Sequence, residues 1–248
     1  MKVLRHIQTI LKKRRMHMTL IDPANQSHEE AGRIAKIAEE IGTDAIMVGG
    51  STGFKRRKLD TTVLSIKKNV CLPIILFPNG SEGLSKYADA VFFMSMLNSR
   101  NIRFLVREQA KGAFFIKKMN IETIPMGYII FEPGMRVGKI GEADLVKRDD
   151  TKTAIGYALA SQYFGMKLVY LEAGSGAQAP IPKETILVVK ENVDIPVIVG
   201  GGIKNGRDAG ECIKGGADII VTGNLVEEES FIALKEVIKE VRKDWDKR

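Results

Sequence analysis

Gly200-Gly201-Gly202-Ile203-Lys204 follows the β-branched run Pro196 to Val199, and Gly223-Asn224 follows a second such run, Asp218 to Val221. Each glycine turn opens a helical pattern. Glycine lacks a Cβ, so the backbone N–H groups there can come close to an anion. A helix N-terminus adds unpaired N–H groups and a partial positive charge. A single glycine triplet reads equally well as a structural turn. Two such turns in succession, late in an alternating β/α chain, match the phosphate site that TIM barrels build after strands seven and eight. The stretch therefore predicts both a (β/α)8 barrel and an anionic ligand.

Length agrees with that fold. The 248 residues suit one TIM-barrel domain over 1–248, since such barrels run to about 250 residues. The net charge of +8 points to an anionic partner: nucleic acid, a lipid surface or a phosphorylated substrate. Aromatic residues are only 6%, and none interleave with a basic run to make a base-stacking platform. Nucleic acid is thus disfavoured. Cys71 and Cys212 show no metal or redox spacing and read as core or near-core thiols of a cytoplasmic protein. No apolar run is long enough to cross a bilayer, so any membrane contact is expected to be peripheral.

Read outward from the opening stretch, the chain alternates. Lys2 to Arg15 is an extra N-terminal helix capping the barrel bottom, with Lys12-Lys13-Arg14-Arg15 as its solvated end. Strands are expected at His17 to Ile21, Asp44 to Val48, Pro73 to Phe77, Ala88 to Ser95, Thr123 to Phe131 and Lys167 to Leu171. Ser27 caps the next helix and Glu30 completes a capping box. Phe77 to Ala88 is too short for a helical crossover, which needs about a dozen residues. The barrel should therefore be irregular, with its third helix missing or reduced. Ile102 to Lys118 reads as a regular helix, and Glu132 to Lys147 as a glycine-rich lid.

Active sites of such barrels lie at the strand C-termini. That places Asp22, Ser51, Asn98, Glu132, Tyr170, Glu172, Ser175, Gly202 and Asn224 at the mouth. The set has no histidine and no cysteine; His6, His17 and His28 read as structural. Asp22 has two readings: a cap on the turn before Pro23, or, with Ser51, a ligand of Mg2+, which takes few protein oxygens. Tyr170 and Glu172 share parity on strand six and face one side. A hydroxyl beside a carboxylate suits a small phosphorylated alcohol.

Tyr170-Leu171-Glu172-Ala173-Gly174-Ser175-Gly176, Gly200 to Lys204, Gly223-Asn224, Leu20-Ile21-Asp22-Pro23, Gly49-Gly50-Ser51, Leu97-Asn98-Ser99 and Gly127-Tyr128 with Pro133 together resemble the archaeal-type geranylgeranylglyceryl phosphate synthases. The resemblance runs in order along nearly the whole chain. Leu20 stands where bacterial relatives carry lysine, so no role of that lysine carries over. The resemblance implies a Mg2+-dependent prenyltransferase. It would join the 3-hydroxyl of sn-glycerol 1-phosphate to geranylgeranyl diphosphate, making the first ether bond of archaeal membrane phospholipids. It further implies Asp22 and Ser51 at the metal; Tyr170 through Gly176, Gly201, Gly202, Gly223 and Asn224 at the glycerol phosphate; and self-association as a homo-oligomer. Glu172 would accept the hydroxyl proton or orient the hydroxyl, with the diphosphate as the other available base. Phe92, Met94, Tyr128 and Ile130, beside the missing helix, read either as ordinary barrel core or as walls of a prenyl groove. Arg56, Arg57 and Lys58 read as a solvated loop or as contacts to diphosphate or membrane. The competing readings are an isomerase or lyase of amino-acid biosynthesis on the same barrel and a basic, non-catalytic nucleic-acid-binding protein.

Overall fold

Side chains alternate between the two faces of a strand, and here both faces are apolar. In β1 (Met16–Ile21), Met16 and Met18 point to one cluster and Ile21 to another. Such strands need cover on both sides, which a closed parallel barrel supplies. The computed structural model describes residues 2–50, 55–223, 225 and 230–243. In it β1, β2 (Ala45–Gly49), β3 (Ile74–Phe77), β4 (Ala90–Met96), β5 (Glu122–Ile130), β6 (Leu168–Glu172), β7 (Val197–Gly200) and β8 (Ile219–Thr222) pair in sequence order. Met16 lies opposite Ile219, so the sheet closes on itself.

The inner cluster gathers Met16, Met18, Met47, Ile75, Phe92, Met126, Tyr170 and Ile198 along the barrel axis. The outer cluster packs the other strand faces against α2 (His28–Ile41), α3 (Arg56–Asn69), α4 (Glu108–Met119), α6 (Thr151–Tyr163), α7 (Lys183–Asn192), α8 (Gly206–Lys214) and α9 (Phe231–Arg242). Helix α1 (Val3–Leu11) plugs the barrel bottom with Val3 and Ile7, and its first N–H groups donate to the Glu122 carboxylate at 2.5 and 3.1 Å. On the outer face of the β8–β1 seam, the buried His17 ring reaches Thr43 Oγ1 at 2.9 Å and Thr222 Oγ1 at 3.0 Å. Burial pushes its pKa down to about 3, so it stays neutral and structural.

Between β3 and β4 the chain makes only a 3-10 turn, Ser81–Gly83; the third helix is absent, as the short link requires. Glu108 at the start of α4 holds that turn. Its Oε2 accepts from the Ser81 N–H at 2.8 Å and the Ser81 hydroxyl at 2.7 Å, while Oε1 accepts from Arg103 at 2.9 Å. Burial alone would push this carboxyl up, but these donors pull it down to about 2.

Several local expectations are corrected. The segment before α4 opens as a π helix, Arg103–Arg107, because side chains insert into it: Gln109 Nε2 donates to Phe104 O at 3.1 Å and Ser95 Oγ to Leu105 O at 2.7 Å. Ser27 accepts from the Glu30 N–H, but the Glu30 carboxylate turns to Arg33, leaving half a capping box. Of the run read as a solvated end, Lys12 and Lys13 are exposed, but the half-buried Arg14 grips Asp44 at 2.5 and 2.9 Å and Arg15 is buried. Cys71 is exposed, lying in the turn ahead of β3, whereas Cys212 is buried. The stretch read as a lid contains α5 (Met135–Ile140) and is bridged to neighbours at Phe131–Val146 and Ser99–Ala143.

Candidate active site

The inward-facing residues at the C-terminal end of the barrel are polar and aromatic where those below are aliphatic. Tyr170 and Glu172 follow Leu168 inward along β6, and Tyr128 follows Met126 along β5. Register places Tyr128 opposite Tyr170 and Ile130 opposite Glu172. Rings of Phe77, Tyr128 and Tyr170 pack together with centroids 5.2 to 5.7 Å apart. They form a floor beneath the Glu172 carboxylate.

That carboxylate is buried and fixed. Oε1 accepts from the Gly174 N–H at 2.7 Å, and Oε2 from the Tyr128 hydroxyl at 3.2 Å. Burial pushes its pKa above the usual carboxylate range, while hydrogen bonds from Gly174, Tyr170 and Tyr128 hold it back. Burial, reinforced by the Glu172 charge, drives both phenols well above their usual value, so they remain donors. A desolvated carboxylate held in one orientation is equipped to take a proton from a neighbouring hydroxyl.

The glycine turn after β7 makes room for this arrangement. Gly201 and Gly202 adopt φ of +82° and +74°, a region that side chains disfavour. A Cβ on Gly201 would stand 2.5 Å from Glu172 Oε1, and one on Gly202 would stand 2.4 Å from the Ala179 backbone.

Above the floor opens a cavity of about 720 Å³. Tyr170, Glu172, Ser175, Gly176, Gly201, Gly202 and Gly223 line one side, and Asp22 and Gly50 stand nearby on its wall. Leu171 and Ala173 point outward into the helix-side cluster, so only their backbones belong to this rim. Ser51 and Asn224 lie outside the described residues. Of the other mouth residues, Asn98 is buried and consumed structurally: Nδ2 donates to Ile130 O and Asp144 O, each at 2.8 Å, and Oδ1 accepts from the Ile130 N–H at 3.1 Å. Glu132 is exposed and does not line the cavity.

On the far side the cavity leaves the barrel axis. Phe92 and Met94, which face inward on β4, line it together with Val91 and Phe93, which face outward. It continues past Leu84 and Ile116 into the space the third helix would fill. Ile130 stays in the inner cluster instead. Arg136 of α5, Gln109 and Glu108 also reach the cavity; no local sequence pattern marks them. Tyr128 as a partner of Glu172 is set by the register of β5 against β6, which inward parity on each strand does not fix. In the basic run, Arg56 lies over the Phe115 ring at 4.7 Å and Lys58 donates to Ala24 O at 3.4 Å, so neither is simply solvated.

Asp22 Oδ1 accepts from the Ala24 N–H at 2.9 Å, as a turn cap would. A Cβ on Gly50 would stand 2.0 Å from Asp22 Oδ2, so a side chain there would displace the carboxylate. Among the described residues no three His, Cys, Asp or Glu side chains cluster to hold a metal. One carboxylate on the wall of this cavity fits Mg2+, which draws most of its ligands from water and phosphate.

A profile of the PcrB family matches residues 8–243. The geranylgeranylglyceryl phosphate synthase of Pyrococcus horikoshii is 56% identical over 226 residues, 91% of this chain and 89% of the relative. That of Pyrococcus furiosus is 54% identical over 231 residues, covering 93% and 92%. Among solved structures, the (S)-3-O-geranylgeranylglyceryl phosphate synthase of Thermoplasma acidophilum, in complex with its substrate sn-glycerol-1-phosphate, superposes with a TM-score of 0.95. It is 46% identical and covers 98% of this chain and 99% of that one.

Proposed function

The chain belongs to the PcrB family, and on that footing we propose that it is a geranylgeranylglyceryl phosphate synthase. It is a prenyltransferase that joins the 3-hydroxyl of sn-glycerol 1-phosphate to geranylgeranyl diphosphate and releases diphosphate. What carries this reading is the near-complete superposition on a synthase solved with sn-glycerol-1-phosphate, coupled with the buried Glu172 in a cavity of matching polarity. The product carries the first ether bond of archaeal membrane phospholipids.

In this reading the phosphate of the acceptor sits against Ser175, Gly176, Gly201, Gly202, Gly223 and Asn224, with the backbone of Leu171, Ala173 and Gly174 completing the rim. Tyr170 and Glu172 take the glycerol hydroxyls. The 3-hydroxyl oxygen bonds to C1 of the prenyl chain, the C1–O bond to diphosphate breaks, and the hydroxyl proton passes to Glu172. Holding the two reactants in line replaces an encounter in solution, an effect worth many powers of ten in rate. Asp22 and Ser51 would hold Mg2+, which would supply positive charge to offset that of the diphosphate leaving group. The prenyl tail lies along Phe92, Met94 and the gap beside β4, away from water. In this reading the protein works as a homo-oligomer in the cytoplasm.

The test is incubation with radiolabelled sn-glycerol 1-phosphate, Mg2+ and prenyl diphosphates of several lengths, followed by solvent extraction. The expected result is labelled lipid from the 20-carbon donor, none from sn-glycerol 3-phosphate, and none after chelation of the metal. Absence of lipid product with every donor would overturn the reading.

A further inference from the structure

Apart from Tyr128, Tyr170 and Glu172 of the site, the buried polar side chains on the strands, among the described residues, are His17, Thr19 and Thr222. They share one place, the outer face of the β8–β1 seam, where Thr19 lies opposite Thr222. The layer that covers β1 is otherwise apolar: α2 and α9 pack on it and bring Ile34, Ala38, Leu234 and Val241 to the outer cluster. Apolar side chains would fill such a layer with no polar group to satisfy. Hydrogen bonds there add direction, which apolar packing lacks.

His17 stands on a fixed base. Its N–H donates to Asp44 Oδ2 at 3.0 Å, its carbonyl accepts from the Asp44 N–H at 2.9 Å, and Arg14 grips the same carboxylate. Nδ1 meets Thr43 Oγ1 at 2.9 Å, to which Thr19 Oγ1 donates at 3.1 Å. Nε2 reaches along the seam to Thr222 Oγ1 at 3.0 Å, past Ile220, which lies opposite His17 in register. His17 does not line the cavity, but Thr222 does; it is the last residue of β8, directly before Gly223.

The two glycine turns of the rim differ in what holds them. At Gly201 and Gly202 an added Cβ would stand 2.5 and 2.4 Å from neighbouring atoms, so the surrounding structure presses on that turn. At Gly223 the nearest atom would be Leu20 O at 3.5 Å, an ordinary contact. The β8 turn therefore depends on an anchor from outside the rim, and the His17 ring reaches it one residue before the turn.

We propose that His17 is a positioning residue for the acceptor phosphate: through the Thr222 hydroxyl it fixes the end of β8 from which Gly223 meets the ligand. The inference rests on the proposed function for the identity of that ligand.

Two amide replacements separate the two ends of the ring. The Asn nitrogen takes the place of Nδ1 and the Gln nitrogen that of Nε2, and an amide can both donate and accept, so either works whichever tautomer His17 holds. H17N keeps Thr43 and loses Thr222; H17Q keeps Thr222. The test is steady-state kinetics of the full chain, together with calorimetric binding of sn-glycerol 1-phosphate in the absence of donor. H17N should raise both KM and Kd for sn-glycerol 1-phosphate by about fivefold, the loss of one hydrogen bond, with kcat and KM for geranylgeranyl diphosphate unchanged. H17Q should restore wild-type values of both, although each variant melts lower than wild type. T222V, which removes the hydroxyl at nearly constant shape, should match H17N, and H17N/T222V should be no worse than either alone. Equal constants in H17N and H17Q, whether both raised or both unchanged, would overturn the proposal. So would a fall confined to kcat, or additive effects in the double variant. Prenyl transfer by wild type in those cases leaves the proposed function standing. The expected order of Kd values without any prenyl transfer would defeat the proposed function alone.

Discussion

Between β6 and β8 the cavity wall is backbone: Gly201 and Gly202 turn through φ of +82° and +74°, and Gly174 gives its N–H to Glu172. Between β3 and β4 the wall is side chain: Leu84, Phe92, Met94 and Ile116 line space left by an absent helix, and the Glu108 carboxylate pins the short turn that remains. The first wall offers fixed polar groups to a small anion and leaves almost no freedom of substitution. The second offers apolar volume, which many side chains can supply. Selectivity for the head of a substrate and tolerance for its tail can therefore coexist in one cavity.

This contrast predicts unequal responses to mutation. The largest effect is expected from Gly202→Ala, which adds a Cβ 2.4 Å from the Ala179 backbone at a left-handed residue. It should cost about 2–3 kcal/mol of stability and abolish measurable saturation by glycerol phosphate, read by thermal melting and kinetics. A variant that melts and binds like wild type would mean that the rim is not rigid. Next is Glu172→Gln, expected to lower turnover by about 100-fold. Its folded-state pKa is raised, so Glu172 favours the folded protein below the unfolded pKa and loses that contribution as pH rises through the folded value. At neutral pH the Gln variant should therefore melt higher than wild type while turning over more slowly. An unchanged rate would remove Glu172 from the chemistry.

How far the two walls could be read from sequence differs in the same way. The glycine rim is local: residues near in sequence make it, and the β-branched runs ahead of each turn fix where it sits. The missing helix is also local, since Phe77 to Ala88 cannot span a crossover. Glu172 follows from strand parity with Tyr170. The Tyr128–Glu172 bond depends on the stagger between β5 and β6, which parity alone does not supply. Glu108 holding Ser81 joins segments 27 residues apart through a turn with no regular structure. The π helix depends on Ser95 and Gln109 reaching into it from two sides. Asn98 stood at the right strand end for chemistry, but three hydrogen bonds to β5 and the α5 segment consume it.

Two smaller effects sharpen the comparison. Tyr128→Phe removes one donor from the Glu172 carboxylate and should slow turnover by about tenfold. It should also move the acidic limb of the rate profile to higher pH, because a lost hydrogen bond to the charged form raises the pKa further. A profile that does not move would separate the phenol from the carboxylate. The smallest effect is expected from Glu108→Gln, about 1 kcal/mol of stability with no change in KM for glycerol phosphate. Glu108 is depressed to about 2, so its contribution is present above the unfolded carboxyl pKa and is lost as pH falls below that pKa and through about 2. Melting curves of the two proteins should converge in acid; a constant gap would refute the assignment.

The strands of this barrel keep their axial packing apart from the packing that faces the helices: Phe92 belongs to one cluster, and Val91 beside it to the other. Lining and cladding are thus separable, as in a cask whose staves hold without every hoop. Removing one panel of cladding cuts a side door while the lining stays closed, and a lone carboxylate serves as the latch on its frame. Any eight-stranded cylinder with this division of labour has eight places where such a door could be opened.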